Sequence, residues 1–417
     1  MSETQTPKRA LAVIFTTVLL NSIGFGIIIP VMPQLVMEVS GEGLSQAAMY
    51  GGWLMFSYAI MQFFFAPVLG NLSDRFGRRK VLLLSLVAFS LDYLVMGWAP
   101  NLAWLFAGRI IAGIAASTNS IANAYIADIS PPEERPQNFG LLGAAFGVGF
   151  IVGPVIGGLL GEFGSRTPFF AAAALGMVNF LFALFVLKET LPLAERRPFD
   201  LARANPLGAV MQLKTTPILL GLVATVFVFN LGHFVMPATW SYFTIERFDW
   251  SPREIGYSLG FVGCLMVFVQ GYLTRVVIPK IGAPSAAYLG LTCALISFVG
   301  YSFAPFGWMM YVAMVPGAMS GLTMPALQGI MTSQVAASNQ GELQGAISSA
   351  SGLTAVLGPP LMTGLFSYFS SATSVLYFPG AAFMCAALLT LISIIMLAPL
   401  FRRLRTSSLT TNPASDP

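Results

Sequence analysis

The sequence predicts an all-α membrane protein with twelve transmembrane helices in two pseudo-symmetric six-helix halves. Three observations predict it. First, 56% of the 417 residues are hydrophobic and only 9% are charged, where a soluble domain carries roughly 25% charged residues. That leaves too little polar surface to coat a water-soluble body of this size. Second, apolar runs of about 20 residues, the length a helix needs to cross a bilayer core, recur along the whole chain. Third, Val31-Met32-Pro33 returns as Val235-Met236-Pro237 at an offset of 204, and Gly140, Gly153 and Pro154 return as Gly345, Gly358 and Pro359 at an offset of 205. Arg275, Lys280 and Gly282 form a worn copy of the charged stretch 70–80. Gly and Pro are common in spans, so one match alone carries little. Two matches at nearly one offset favour a duplicated six-helix unit, with a substrate site near the midplane between the copies.

The runs fall at roughly 10–37, 48–70, 81–99, 102–128, 137–161 and 167–187, then at roughly 217–243, 254–277, 284–304, 307–331, 343–369 and 374–399. The longest polar stretch, Lys188–Lys214, divides them. The expected domains are an N-terminal half 1–187, a cytoplasmic linker 188–214, a C-terminal half 215–405 and a disordered tail 406–417. Lys8 and Arg9 precede a run too long for a signal-peptide core, which is read as a retained first span. With the N-terminus inside, 17 of the 21 Lys and Arg residues lie on the inner side and only Arg166, Arg247 and Arg253 on the outer. The positive-inside rule then puts both termini in the cytoplasm and the chain, multi-pass, in the inner (plasma) membrane.

The formal net charge of +4 is dispersed among short loops. No long basic face forms, so a bilayer and not a nucleic acid is the expected partner. Cys264, Cys293 and Cys385 lie in apolar runs and are expected to be buried free thiols. One histidine and scattered cysteines offer no metal-ligand spacing, and no cofactor is expected. No G-x-x-x-x-G-K-[ST] loop is present, which argues against an ATP-driven pump. No nucleophile–base set points to an enzyme.

Residues 70–80 read Gly-Asn-Leu-Ser-Asp-Arg-Phe-Gly-Arg-Arg-Lys. Gly70 and Gly77 for a tight turn, Asp74 near a helix start, and Arg75 and Arg78 are the parts of a charge-paired latch. The alternative is that the basic residues only set orientation. Asp128, ending the fourth span on the same side, is a latch partner or a solvated carboxylate. Arg109 lies inside the fourth span, where a charge is costly and functional by default. It and Asp92 of the third span each lie about seven residues from the outer ends of their spans, a depth that allows either a proton-coupling pair or a structural one. In the fifth span, Gly140, Gly149, Gly153, Pro154, Gly157 and Gly158 have the spacing G-x8-G-x3-G-P-x2-G-G. Such a stripe lets a neighbouring helix approach closely, and Pro154 permits a kink; plain helix packing explains any single pair. His233 is a neutral core histidine or a proton carrier. Asn119, Gln270, Gln328 and Gln344 face a cavity or glue helices together. Phe146, Phe229, Trp240 and Tyr257 suit an apolar pocket or lipid.

The 70–80 stretch resembles the cytoplasmic loop signature of the major facilitator superfamily, G-x-L-x-D-R-x-G-R-R. The fifth-span spacing looks like the signature of its proton-antiporting drug exporters. Arg109 with Gly113 is similar to its fourth-helix Arg–Gly signature, whose arginine is implicated in proton coupling. The resemblance covers nearly the whole chain and narrows to the tetracycline-efflux-like branch. It is carried by residues 24–33 and 73–79, Ser90-Leu91-Asp92-Tyr93-Leu94, Pro237-Ala238-Thr239-Trp240, residues 325–329 and Leu343-Gln344-Gly345. It implies the major facilitator fold, a monomer, and proton-coupled efflux of amphipathic drugs, tetracycline-like or multidrug, by alternating access. It also implies Asp92 and Arg109 as proton-coupling residues, to which His233 is added by its titration range alone, and Asp74, Arg78 and Asp128 as an inner charge cluster stabilising the outward-facing state. Asn21, Asn119, Gln270, Gln328 and Gln344 would line the substrate cavity.

The chain also departs from that branch. Asn21 stands where the well-known tetracycline exporters have an aspartate, Met266 aligns with their eighth-span histidine, and Ala294 with their ninth-span aspartate. Those positions are associated with proton coupling and a metal-chelated drug, so a neutral or cationic lipophilic drug is as well supported. The rivals are a facilitator or symporter of a small metabolite or sugar, against which the fifth-span pattern speaks, and a transport-inactive membrane receptor, which would tolerate loss of Asp92 and Arg109.

Overall fold

The computed structural model describes residues 7–116, 118–199, 217–336 and 339–410, and among them every regular element is helical. Linker residues 200–214 and tail residues 411–417 lie outside the described ones. The first span is α1 (Pro7–Ile28), a 3-10 turn at Ile29–Val31 and α2 (Met32–Ser40). Pro30 and Pro33 withhold N–H donors at this point, and the run cannot continue as one regular helix. The second and third spans are α3 (Leu44–Phe76) and α4 (Arg78–Trp98), joined by Gly77 alone. The fourth is split into α5 (Leu102–Ala115) and α6 (Thr118–Ile129), where one unbroken run 102–128 was expected. The Asn101 side chain caps α5 by accepting the Trp104 N–H. The fifth and sixth are α7 (Arg135–Gly161) and α8 (Thr167–Val186).

In the second half of the chain, α9 (Pro217–His233) and α10 (Val235–Phe248) form the seventh span. The eighth is α11 (Pro252–Phe268), a π-helical turn at Val269–Leu273 and α12 (Thr274–Ile281). The ninth is α13 (Ala283–Phe303). The tenth is α14 (Gly307–Met319), a 3-10 turn at Ser320–Leu322 and α15 (Thr323–Ser333). The last two are α16 (Gln340–Ser370) and α17 (Ala381–Thr410). Eleven segments among the described residues are long and apolar enough to cross a membrane. The span not among them is the eleventh, α16, which is 31 residues long, with Pro359, Pro360 and several Ser and Gly diluting its apolarity. Several helices overrun the expected spans, as α3 does to Phe76. An apolar run marks what crosses the bilayer, while the helix ends only where a Gly, a Pro or a turn stops it. The twelfth span instead begins at Ala381, seven residues later than expected.

The repeat is visible in backbone detail. Gly77 (φ 102°, ψ 149°) and Gly282 (φ 80°, ψ 153°) make the same turn 205 residues apart. That region of backbone space belongs essentially to glycine. The break after Ala115 in the fourth span is matched by the 3-10 turn at Ser320–Leu322 in the tenth.

Two compact units form, Met1–Asn205 with Trp240–Cys264, and Pro206–Thr239 with Leu265–Pro417. In the first, α1 lies along α7 and α8, α4 packs on α8, and α3 on α5. Its core includes Val13, Ile14, Leu82, Leu86, Ile121 and Tyr125. In the second, α13 packs on α14 and α17, and α9 on α16 and α17. Large apolar side chains such as Phe64, Leu84, Phe185 and Ile395 are exposed, as suits helices solvated by lipid. This also corrects the cysteine expectation. All three are free, but Cys264 is exposed and Cys293 and Cys385 are half-buried. An apolar run in a bilayer need not turn a thiol toward protein.

Candidate functional site

Two clusters of charge in the first unit hold the Asp and Arg residues singled out from sequence, Arg75 excepted. The inner cluster is built where α3 turns into α4. Gly77 closes the end of α3, its N–H donating to the Ser73 carbonyl. Its positive φ brings Arg78, the first residue of α4, back over the end of α3. The Arg78 guanidinium pairs with Asp74, donates to Ser73 Oγ at 2.7 Å, and reaches Asp128 Oδ2 at 3.2 Å. Asp128 lies at the C-terminal end of α6, where the helix dipole disfavours a carboxylate; Arg78 offsets that. A planar guanidinium serves several acceptors at fixed angles, as an ammonium does not.

The segment following α8 completes this cluster, and sequence reading missed it. Glu189 Oε1 accepts the Arg78 N–H at 2.8 Å and the N–H groups of Thr190 and Leu191 at 3.2 Å each. Thr190 Oγ1 donates to Asp128 Oδ2 at 3.0 Å, and the Arg197 N–H to the Asp74 carbonyl at 3.3 Å. Gly77 sits directly against the Glu189 carboxylate and close to Arg196. Counting apolar runs ends the sixth span near residue 187, and everything after it reads as linker. Two expectations fail here. Gly70 lies inside α3 with open space around it, so it makes no turn and no close approach; Gly77 alone does. Arg75 is exposed and stacks on the Phe76 ring at 5.2 Å, outside the cluster.

The second cluster is buried. Arg109 and Asp92 form an ion pair whose side chains are 7% and 0% exposed. Gly108 lets α5 approach α4, since a Cβ there would meet Asp92 Oδ1 at 2.7 Å. Gly113 does the same against α3, where it faces the Tyr58 carbonyl and Met61. That approach brings the Tyr58 ring over the guanidinium, with 5.5 Å from Arg109 Cζ to the ring centroid. Tyr58 gave no sequence signal, because it stands in an aromatic-rich run that also suits lipid.

In α7, Gly149, Gly153 and Gly157 lie against Ser22, Ile23, Gly26 and Ile27 of α1, and Gly158 against Pro252 and Arg253. The Pro154 carbonyl meets Gly256 of α11. Backbone-to-backbone approach of this kind needs glycine on the contact line. Gly140 does not belong to it, with nothing within 4 Å of where its Cβ would be. At the other end of the helix, Glu162 pairs with Arg253 at 3.8 Å, and Glu38 pairs with Arg166 at 2.8 Å.

His233 lies in the second unit. Its ring contacts Phe229 at 5.6 Å and Phe298 at 6.0 Å, and its Nδ1 is buried without a hydrogen-bond partner among the described residues. The structure thus brings Asp92 and Arg109 together, while His233 belongs to the other unit. The amides are dispersed. Asn21 is half-buried on α1; Gln270 is exposed in the π turn, with Nε2 3.9 Å from Met266 Sδ; Gln328 is half-buried and Gln344 exposed. The Asn119 side chain lies outside the described residues. Of the aromatics, Phe229 and Trp240 are buried, and Trp240 donates to Ser258 Oγ at 3.0 Å. Those two pack the interior.

Comparison with known proteins gives a consistent picture. The family model described as Major Facilitator Superfamily matches residues 14–316. The chain is 40% identical over 364 residues to the class C tetracycline resistance protein of Escherichia coli, covering 87% of this chain and 91% of that protein. It is 30% identical over 365 residues to multidrug resistance protein 2 of Bacillus subtilis (strain 168), covering 86% and 89%. Among solved structures, it is similar to the human organic anion transporter MFSD10 (TETRAN), with TM-score 0.70, 23% identity, and coverage of 94% of this chain and 100% of that one. It is also similar to the nucleoside transporter NupG, with TM-score 0.77, 12% identity, and coverage of 94% and 99%.

Proposed function

Since the chain belongs to the major facilitator superfamily, we propose that it exports amphipathic drugs, tetracycline-like or multidrug, across the inner membrane in exchange for protons. Its relatives are named for tetracycline and multidrug resistance. It is a carrier and not an enzyme, working as a monomer with protons and a lipophilic solute as its partners. Both termini face the cytoplasm, and the halves 1–187 and 215–405, joined by the linker 188–214, are the moving parts of alternating access.

The observation that carries this reading is the buried Asp92–Arg109 pair. A carboxylate in that setting has one charge partner of opposite sign, and taking up a proton removes the attraction. The lone buried guanidinium that remains is costly, so protonation shifts the balance between conformations by linkage. The inner cluster around Arg78 is the latch that one of those conformations makes and another breaks. His233 is a second proton-carrying candidate. Asn21, Met266 and Ala294 supply no charge for a metal-chelated drug, which makes a neutral or cationic lipophilic substrate as well supported as a tetracycline-like one. Asn21, Asn119, Gln270, Gln328 and Gln344 are the polar groups offered to it.

The test is drug-driven proton release from inverted vesicles holding this protein, with tetracycline and then lipophilic cations added. Asp92→Asn and the charge-neutral pair Asp92→Asn/Arg109→Gln are run beside it. Release that is lost in both variants supports drug–proton exchange through Asp92. Solute that equilibrates with no proton movement would identify a facilitator instead.

A further inference from the structure

We propose that Tyr58 is a positioning residue for proton exchange, holding the Arg109 guanidinium when Asp92 is protonated. The inference rests on the reading of Asp92 given above. Its geometry is independent of that reading. Arg109 and Asp92 are buried together, and the Tyr58 ring lies over the guanidinium at 5.5 Å, within cation–π range. Arg109 Nε has no hydrogen-bond partner among the described residues. Among the described residues, the guanidinium is held by the Asp92 carboxylate and the Tyr58 ring.

The two partners act differently in the two states. While Asp92 is ionised, the pair presents a dipole to the ring, and the ring's attraction is weak. Once Asp92 is neutral, the ring faces an uncompensated buried cation, and its attraction is at full strength. Tyr58 thus favours the protonated state over the ionised one. Only such a difference between states can shift an equilibrium. Removing the ring should make Asp92 harder to protonate and move exchange to lower pH.

The neighbouring groups leave this role to Tyr58. α8 carries no titratable side chain. On α6, Tyr125 donates to the Lys188 carbonyl and Asp128 is held by Arg78. On α2, Glu38 is held by Arg166. On α3, Tyr50 is half-buried, and Asp74 and Arg75 stand at the latch end of the helix. On α4, Tyr93 stacks on Phe89, and Arg78, Arg79 and Lys80 lie in the first turn.

The experiment measures the pH midpoint of drug-driven proton release in vesicles, using whichever of tetracycline or a lipophilic cation drives release in the unmodified protein. Tyr58→Phe keeps the ring and should keep the midpoint. Tyr58→Leu and Tyr58→Met remove it and should lower the midpoint by about one pH unit. A midpoint does not depend on how much protein each vesicle holds, so a loss of yield does not imitate the effect. An unmoved midpoint in both ring-less variants overturns the proposal, as does a Phe variant that behaves like them. Loss of exchange at every pH with drug binding intact also overturns it, because a shift is expected and not abolition. Exchange retained in Asp92→Asn overturns the reading beneath, and the role of Tyr58 falls with it.

Discussion

The Glu189 carboxylate accepts the backbone N–H of Arg78 at 2.8 Å, across 111 residues of sequence. It ties the end of the sixth span to the first turn of α4, whose leading N–H groups have no partner within their own helix. The same residue whose side chain gathers Ser73, Asp74 and Asp128 is thereby fixed at its backbone.

Glu189→Ala should weaken this end of the first unit. The carboxylate accepts three N–H groups and is partly exposed, so the expected loss is about 1–2 kcal/mol. Thermal unfolding of the purified protein in detergent measures it. Glu189→Gln, which keeps an acceptor oxygen, should recover part of the loss.

Arg78→Lys should fail to replace arginine. The ammonium cannot serve Ser73, Asp74 and Asp128 at the angles the planar fork provides. Efflux per molecule of protein in cells should fall as far in Arg78→Lys as in Arg78→Gln. Full activity in the lysine variant would show that charge alone suffices at this position.

Two glycines of one sequence pattern should respond differently, one at a cost and one without. A Cβ at Gly157 would press on the Ile27 carbonyl, so Gly157→Ala should cost about 1–3 kcal/mol. Gly140 has open space around it, and Gly140→Ala should be neutral or stabilise α7 by about 0.5–1 kcal/mol. Thermal unfolding of the two variants side by side decides the matter.

Arg109→Gln and Asp92→Asn should each destabilise the fold more than the two together. Each single change strands a buried charge, at a cost of about 3–5 kcal/mol, whereas the double change strands none. The yield of folded protein from membranes, compared across the three variants, reads this directly.

The spans and the turn at Gly77 were legible because bilayer length and glycine chemistry act locally. Gly77 and Arg78 are adjacent in sequence, and the turn they need is written in those two residues. Glu189 was not legible, since nothing in an apolar-run count says that the chain folds back after residue 187. Gly140 and Gly157 look alike in sequence, and only the neighbour that arrives at one of them tells them apart. The break after Ala115 was invisible for the opposite reason, because both sides of it read as one apolar stretch. Tyr58 was hidden among aromatics of equal character, and the close approach at Gly113 is what aims it at Arg109.

The shared turn at Gly77 and Gly282 carries a consequence for how this sequence can drift. Where the first copy follows its glycine with Arg78, the second has Ala283. The bend has outlived the charge. A saturation library should therefore recover almost nothing but glycine at both 77 and 282, while accepting many residues at 283 and few at 78. Tolerance to substitution at this corner follows the backbone in both copies and the electrostatics in only one.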